Sequence, residues 1–469
     1  MFIGRTDELK TLDKLYNKDK FQLVIMYGRR RIGKTTLINE FLKNKKAIFF
    51  AAQEANDYLN LEMFSDKLYD FFNMPKTTGS FKNWHDAFMF IADKGKKERF
   101  ILAIDEFPYI AECNKSVKSI LQNIIDHELK YTGLYIILCG SQISFMENEV
   151  LGYKSPLFGR RTAQLKIDGF DYYNASLMMK GFSNEDKVKL YGSIGGTPHY
   201  LSQIDYSLSF EDNIKELFFN VSGYLYDEPI MLLQQELREP AMYNSVISAI
   251  ASGASRLNEI STKISEDTSK TIKYINTLLN LRILHKKYPF GDNPNKSRKG
   301  IYLISDNCYR FWYKYIFFNR TGIEKGIGDE IADSNVFPDI NNYIGKYVFE
   351  EICRQYIVIL NIRNQLPFLA TDFGSWWGTD NIEKQQADID IVADNKFKKS
   401  ILLGECKWRN QIDDIMEIKK LMSKKYLLPQ YENYYFIFFS KVEYSAGAKQ
   451  LEKENTNLKL VTLDMIFNL

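Results

Sequence analysis

Three short runs in this chain bring together residue types that do phosphate and metal chemistry. The first is Gly28-Arg29-Arg30-Arg31-Ile32-Gly33-Lys34-Thr35-Thr36. Its Gly-x-x-x-x-Gly-Lys-Thr spacing is that of a phosphate-binding loop. The glycines let the backbone aim its N–H groups at a β-phosphate. Lys34 then reaches the β- and γ-phosphates, and the Thr35 hydroxyl is placed for Mg²⁺. The second run is Ile104-Asp105-Glu106. Asp105 is suited to a Mg²⁺ shell and Glu106 to polarising an attacking water. The third joins Asp388-Ile389-Asp390 to Glu405-Cys406-Lys407. Strand alternation puts Asp388 and Asp390 on one face, and Glu405 and Lys407 on one face. Carboxylates so grouped suit Mg²⁺ or Mn²⁺. The same spacing also fits a Glu–Lys ion pair on an edge strand, with Asp390 capping a turn.

Elements must position these groups. Residues 21–27 form an apolar, β-rich run that stops at Gly28, and Leu37, Ile38, Phe41 and Leu42 then recur at helical spacing. A strand before the loop and a helix after it are the context the loop needs, since the new helix points its positive end at the anion. Residues 47–52, 99–104 and 134–140 read as further buried strands, separated by helical stretches near 59–72, 84–93 and 117–129. Such alternation predicts a parallel sheet with helices on both faces and a ligand beyond the carboxyl ends of the strands. Ser141, at one such end, suits either a γ-phosphate contact or a helix N-cap. Arg160 and Arg161 follow a turn and precede a strand at 162–167.

Beyond residue 172 the pattern is helical to 240, interrupted at Gly195-Gly196-Thr197-Pro198. Helices near 246–251, 257–264 and 268–281, followed by two short strands, predict a winged helix-turn-helix. Lys270, Lys273, Lys296, Arg298 and Lys299 on its helix and hairpin loop suit DNA contact. They suit equally a packing module with a solvated basic face. Residues 322–335 read as a linker. A helix at 343–360, strands at 387–393 and 400–408, a helix at 413–425 and a strand at 434–439 make a second α/β unit.

At 469 residues the chain has room for two or three domains, and its formal net charge of +3 does not mark a nucleic-acid binder by itself. Five scattered cysteines with no Cys-x-x-Cys pair support neither a zinc site nor a disulfide framework. No apolar run is long enough to span a membrane and no signal peptide is visible, so a soluble, cytoplasmic protein is expected.

Phe2-Ile3-Gly4-Arg5, Gly28 to Thr36, Ile104-Asp105-Glu106, Pro156-Leu157-Phe158-Gly159-Arg160 and Gly195-Gly196-Thr197-Pro198 together resemble the archaeal and bacterial branch of the STAND-type P-loop ATPases, within the AAA+-like group. The carboxyl-terminal part is similar to PD-(D/E)xK nucleases through Gly345-x-x-x-Phe349-Glu350, Asp388-Ile389-Asp390 and Glu405-Cys406-Lys407. The resemblance implies an α/β protein in four parts. These are a P-loop ATPase core over residues 1–170, a helical lid over 171–240, a winged helix-turn-helix over 241–320 and a restriction-endonuclease-like domain over 341–469. It implies ATP with Mg²⁺ bound by Ile3, Gly4, Arg5, the loop residues, Asp105 and Ser141, with Pro198 reporting the nucleotide state. Catalysis falls to Lys34, Glu106 and Arg160, with Arg160 or Arg161 approaching the phosphates. Glu350, Asp390 and Glu405 would hold Mg²⁺ or Mn²⁺ at a nuclease site, with Lys407 orienting the water. The implied partners are ATP and ADP, DNA, and a protein partner or second copy, without a membrane.

Overall fold

The structure is a computed structural model that describes residues 2–75, 79–237 and 240–469. It divides into two units, Met1–Gly169 and Phe170–Leu469.

In the first unit, β1 (Gln22–Tyr27) is buried along its whole length. It lies inside a sheet with β2 (Ala47–Ala51), β3 (Ile101–Asp105), β4 (Tyr135–Gly140) and β5 (Ala163–Lys166), in the order β2-β3-β4-β1-β5. Every pairing is parallel. Parallel strands covered on both faces need apolar residues at successive positions, which is why these segments read as continuous apolar runs. Period-2 alternation then sorts them. Leu23, Ile25, Leu102, Ile104, Ile136 and Leu138 join one core. Val24, Met26, Ile101, Ala103, Ile137 and Cys139 join the other. All five strands end on the same side, with Tyr27 level with Gly140 and Lys166, and Ala51 level with Asp105.

In the second unit, three helices (Pro240–Ala251, Leu257–Lys263, Thr268–Asn280) precede an antiparallel hairpin of β6 (Leu284–Lys287) and β7 (Ile301–Ile304). A five-stranded sheet follows: β8 (Asp372–Thr379), β9 (Gln386–Asn395), β10 (Ser400–Lys407), β11 (Asn433–Ser440) and β12 (Leu458–Thr462), ordered β12-β11-β10-β9-β8. Pairings β10–β11 and β11–β12 are parallel, whereas β8–β9 and β9–β10 are antiparallel.

Several expectations need correction. Strands β8 and β12 were not expected; β8 mixes glycine with tryptophan and lacks an apolar run. The expected helix at 343–360 is two helices, Ile340–Tyr347 and Phe349–Ile362, broken at Val348. The expected linker at 322–335 is mostly helical instead, with Ala332 and, one residue past its end, Val336 fully buried. A Cβ on Gly328 would stand 1.9 Å from the Phe219 carbonyl oxygen, so this glycine serves close packing, not flexibility. The helical stretch expected through 240 includes residues 238–239, which lie outside the described residues.

Candidate functional site

The loop leaves β1 at Tyr27 and enters the helix Lys34–Leu42 through Gly33, whose φ of 84° favours glycine. Lys34 is buried and donates from Nζ to the carbonyls of Gly28 and Arg29, each at 2.9 Å. Thr35, next on the helix, donates from Oγ1 to Asp105 Oδ2 at 2.6 Å. Two oxygens from separate elements therefore meet at the carboxyl edge of the sheet. Hard oxygen donors of this kind fit Mg²⁺. Thr36 is exposed one residue further on.

Glu106 takes a left-handed conformation, φ 50°, which is uncommon outside glycine and costs energy. Its own N–H donates to Asp105 Oδ1 at 3.0 Å. Its Oε2 accepts from Ser141 twice, from the backbone N–H at 3.1 Å and from Oγ at 2.9 Å. Ser141 is thus a holder of Glu106. The N-cap alternative is corrected, because the next helix, Ile143–Phe145, has Gln142 before it and no side-chain cap. Glu106 and Ser141 meet because β3 and β4 are adjacent and parallel.

The amino-terminal segment borders the loop. Arg5 donates from Nη2 to the Ile32 carbonyl at 3.2 Å and to the Asp168 carbonyl, and pairs with Glu8. Ile3 and Gly4 are half-buried beside it. Arg30 donates to the Tyr109 hydroxyl at 3.3 Å, and Arg31 is left-handed at φ 68°.

The expectation that Arg160 approaches these phosphates is corrected. Strands β5 and β1 are parallel, with Ala163 beside Val24 and Thr162 bonded to Leu23. Arg160 therefore sits at the amino end of β1. The loop leaves the other end, roughly 16 Å away at about 3.3 Å per residue. Its guanidinium instead grips Asp126, Nε to Oδ1 at 2.9 Å and Nη2 to Oδ2 at 2.7 Å. It also donates to the Pro156 and Phe158 carbonyls. Pro198 belongs to the second unit, where it opens the helix Pro198–Leu201.

The third run assembles in the second unit, though not as expected. Cys406 donates its N–H to Asp390 Oδ2 at 2.8 Å, which places Asp390 beside Glu405 across β9 and β10. Glu350 enters from the first turn of Phe349–Ile362. Glu405 is gripped by two ammonium groups, Lys407 at 2.8 Å and Lys424 at 2.9 Å. Lys424 also donates to the Asp388 carbonyl at 2.7 Å. Among the described residues no three His, Cys, Asp or Glu side chains are grouped to hold a metal ion. The joint shell of Glu350, Asp390 and Glu405 is therefore not assembled here, and Glu405 is held by the two lysines instead. The alternative ion pair is present, but on β10, a central strand.

Burial decides the charge state of this cluster. Desolvation pushes Asp390 well above the usual carboxylate range, helped by Glu350 and Glu405. Glu350 is raised mainly by desolvation. For Glu405 desolvation acts upward too, but Lys424 and Lys407 together outweigh it and hold the carboxyl low. Sequence reasoning missed Lys424 and a further lysine nearby, Lys287 on β6. Neither carries a local signal: Lys424 meets Glu405 only through tertiary packing, and Lys287 acts on Glu350 through its charge without pairing with it.

Residues 2–204 match a family described as an ATPase domain predominantly from Archaea, and residues 312–425 match a family of archaeal and bacterial proteins of unknown function. An uncharacterized protein of Methanocaldococcus jannaschii is 33% identical over 468 residues, 99% of each chain. Another from that organism, described as an uncharacterized ATP-binding protein, is 54% identical over 46 residues, 10% of this chain and 78% of its own. Among solved structures, the Aeropyrum pernix ORC2 protein in ADPNP–ADP complexes is similar at TM-score 0.46 and 11% identity, covering 70% of this chain and 94% of that one. A Pyrococcus horikoshii signal transduction ATPase with a tetratricopeptide repeat sensor is similar at TM-score 0.29 and 16% identity, covering 77% of this chain and 50% of that one. Among the described residues no helix is long and apolar enough to cross a membrane.

Proposed function

We propose that this chain, which belongs to the ATPase family found predominantly in Archaea, uses Mg²⁺-dependent ATP binding and hydrolysis as a switch for a DNA-directed, nuclease-like domain at its carboxyl end. The carrying observation is the 2.6 Å contact between Thr35 and Asp105, which joins the phosphate loop to the acidic strand end. The relative described as ATP-binding supports ATP as the nucleotide. Residues 28–36 hold the phosphates, Lys34 countering their charge, while Ile3, Gly4 and Arg5 flank the base and Pro198 responds to the nucleotide state. Thr35 and Asp105 hold Mg²⁺, which when bound neutralises charge on the phosphate oxygens. Glu106 orients a water and takes its proton, and Ser141 keeps the Glu106 carboxylate aimed.

In the second unit the reading is a helical lid over 171–240, a winged helix-turn-helix over 241–320 and a PD-(D/E)xK-like domain over 341–469. The three helices and the β6–β7 hairpin support the winged helix. Asp390, Glu405 and Lys407 on neighbouring strands, with Glu350 from the helix, support the nuclease-like domain. A second reading is favoured by the double lysine grip on Glu405: an inert domain used for protein or DNA contacts. Plasmid nicking by the purified protein in Mg²⁺ or Mn²⁺, with and without ATP, separates the two. Nicking that is lost in Asp390→Ala and made insensitive to ATP by Glu106→Gln is expected. Metal-dependent ATP turnover with no cleavage of DNA or RNA would leave the second reading.

A further inference from the structure

The turn between β9 and β10 holds an aromatic ring out in water. Phe397 is 98% exposed, within the run Lys396-Phe397-Lys398-Lys399. Burial of such a ring is favourable, so the fold forgoes a gain by presenting it. The turn is pinned on both sides. Asn395 Oδ1 accepts the Lys398 N–H at 3.0 Å, and its Nδ2 donates to the Leu369 carbonyl at 2.7 Å. Lys399 is left-handed at φ 46° and leads the chain into β10. Its carbonyl accepts the N–H groups of Glu432 and Asn433, where β11 begins, at 2.9 and 3.1 Å. Its ammonium pairs with Glu432. Asp394, one residue before Asn395, is fully buried and accepts from the Tyr431 hydroxyl. The tip is thus a fixed projection.

The charges around the ring say what it faces. Lys396 and Lys398 flank Phe397 and form no ion pair among the described residues. Leu369, whose carbonyl Asn395 holds, is 56% exposed. A second basic tip rises from the same sheet. Phe290, three residues past the end of β6, is buried in the core of this sheet, and its N–H donates to the Ser375 carbonyl on β8 at 2.8 Å. Gly374, beside Ser375, pairs with Val392, three residues before Asn395. At about 3.3 Å per residue the two tips therefore start roughly 10 Å apart along the sheet. The second tip carries Lys296, Arg298 and Lys299, all exposed, and residues 291–300 hold no large apolar side chain. Cations without apolar anchors suit a polyanion better than a bilayer surface.

We propose that the β9–β10 turn is a wedge for duplex DNA: the Phe397 ring enters the base stack while Lys396 and Lys398 meet the phosphates beside it. Aromatic and apolar wedges flanked by cations bind DNA in this way, because every base offers a face to stack on and every step a phosphate. The proposal rests on the DNA-directed reading of this unit and names one of its contacts. It needs no metal at Asp390, since Asn395 lies five residues along β9 from it, about 16 Å.

Fluorescence anisotropy of a short labelled duplex with the full chain tests it. Phe397→Ser is expected to bind at least about fivefold more weakly at an unchanged salt slope, as loss of one base–aromatic stack gives. Phe397→Tyr keeps a ring and is expected to keep the affinity. Lys396→Gln with Lys398→Gln is expected to lower the salt slope of log K by about 1.8, one phosphate for each lysine. A duplex carrying 2-aminopurine is expected to brighten on binding wild type, as its bases unstack, and not on binding Phe397→Ser. Equal duplex affinity in wild type and Phe397→Ser, with binding lost when Lys296→Gln, Arg298→Gln and Lys299→Gln are combined, would overturn the wedge and leave the DNA-directed reading standing. No duplex binding by wild type would overturn both. Wild type that binds phosphatidylserine vesicles and not duplex, with vesicle binding lost in Phe397→Ser, would assign the tip to a membrane surface and overturn the wedge.

Discussion

The phosphate-loop site and the Asp390–Glu405 site are built from the same materials: acids at strand positions, a lysine nearby and a helix end. They differ in what the acids touch. Asp105 meets a hydroxyl and a backbone N–H, and Lys34 is held by neutral carbonyls. Glu405 meets two ammonium groups. The first arrangement leaves anionic oxygens able to take a cation and a cation able to take an anion. The second is already neutralised internally. Proximity of acids and lysines, which a motif secures, is thus separate from readiness to bind, which depends on the partners those groups have.

This contrast predicts opposite consequences for removing a lysine. Lys34→Ala should weaken ATP binding at least ~100-fold in calorimetry, since charge-assisted bonds contribute about 1.5–3 kcal/mol each. Its melting temperature should barely move. Lys424→Ala should leave ATP binding intact and lower unfolding stability by about 3 kcal/mol in urea titration, because a buried carboxylate loses a partner. Equal effects of the two on ATP affinity would erase the distinction.

Within the ATP site, Glu106→Gln should keep nucleotide affinity and reduce turnover about 10²–10⁴-fold, the usual contribution of a positioned general base. Equal loss of affinity in Lys34→Ala and Glu106→Gln would remove the role given to Glu106. Ser141→Ala should reduce turnover about tenfold with affinity unchanged, since one hydrogen bond to a charged group contributes about 1.5–3 kcal/mol. A weakened affinity instead would put Ser141 against the nucleotide.

Arg160→Ala tests the smallest effect. It should cost up to about 1 kcal/mol of stability, as partly exposed pairs do, and leave ATP affinity unchanged. A tenfold loss of affinity would restore a phosphate contact for Arg160.

The loop, its flanking elements and the acidic strand end were legible because they are local. Gly28 to Thr36 fixes its own turn, and a parallel strand must be apolar throughout. Arg160 was misread because sequence order does not say which end of a parallel strand a residue adjoins; the register with β1 does. Strand β8 was missed because Gly374, Trp376, Trp377 and Gly378 carry no alternation of apolar and polar residues. The segment 322–335 looked like a linker because glycine for close packing and glycine for flexibility are the same letter. Lys424 was invisible as a site residue because only tertiary packing brings it to Glu405.

Phe290, just past β6, is buried in the core of the carboxyl-terminal sheet and donates its N–H to Ser375 on β8, which bears on how the chain is made. Phe290 and Ser375 are about 85 residues apart in sequence. At about 5–20 residues per second, the ribosome delivers β8 some 4–17 s after the hairpin. During that interval Phe290 has no core to enter. The hairpin strands can pair within microseconds, so the hairpin is ready long before its seat exists. Every newly made copy therefore passes through a stage with the hairpin free, and the seated form is reached only when the last strands arrive.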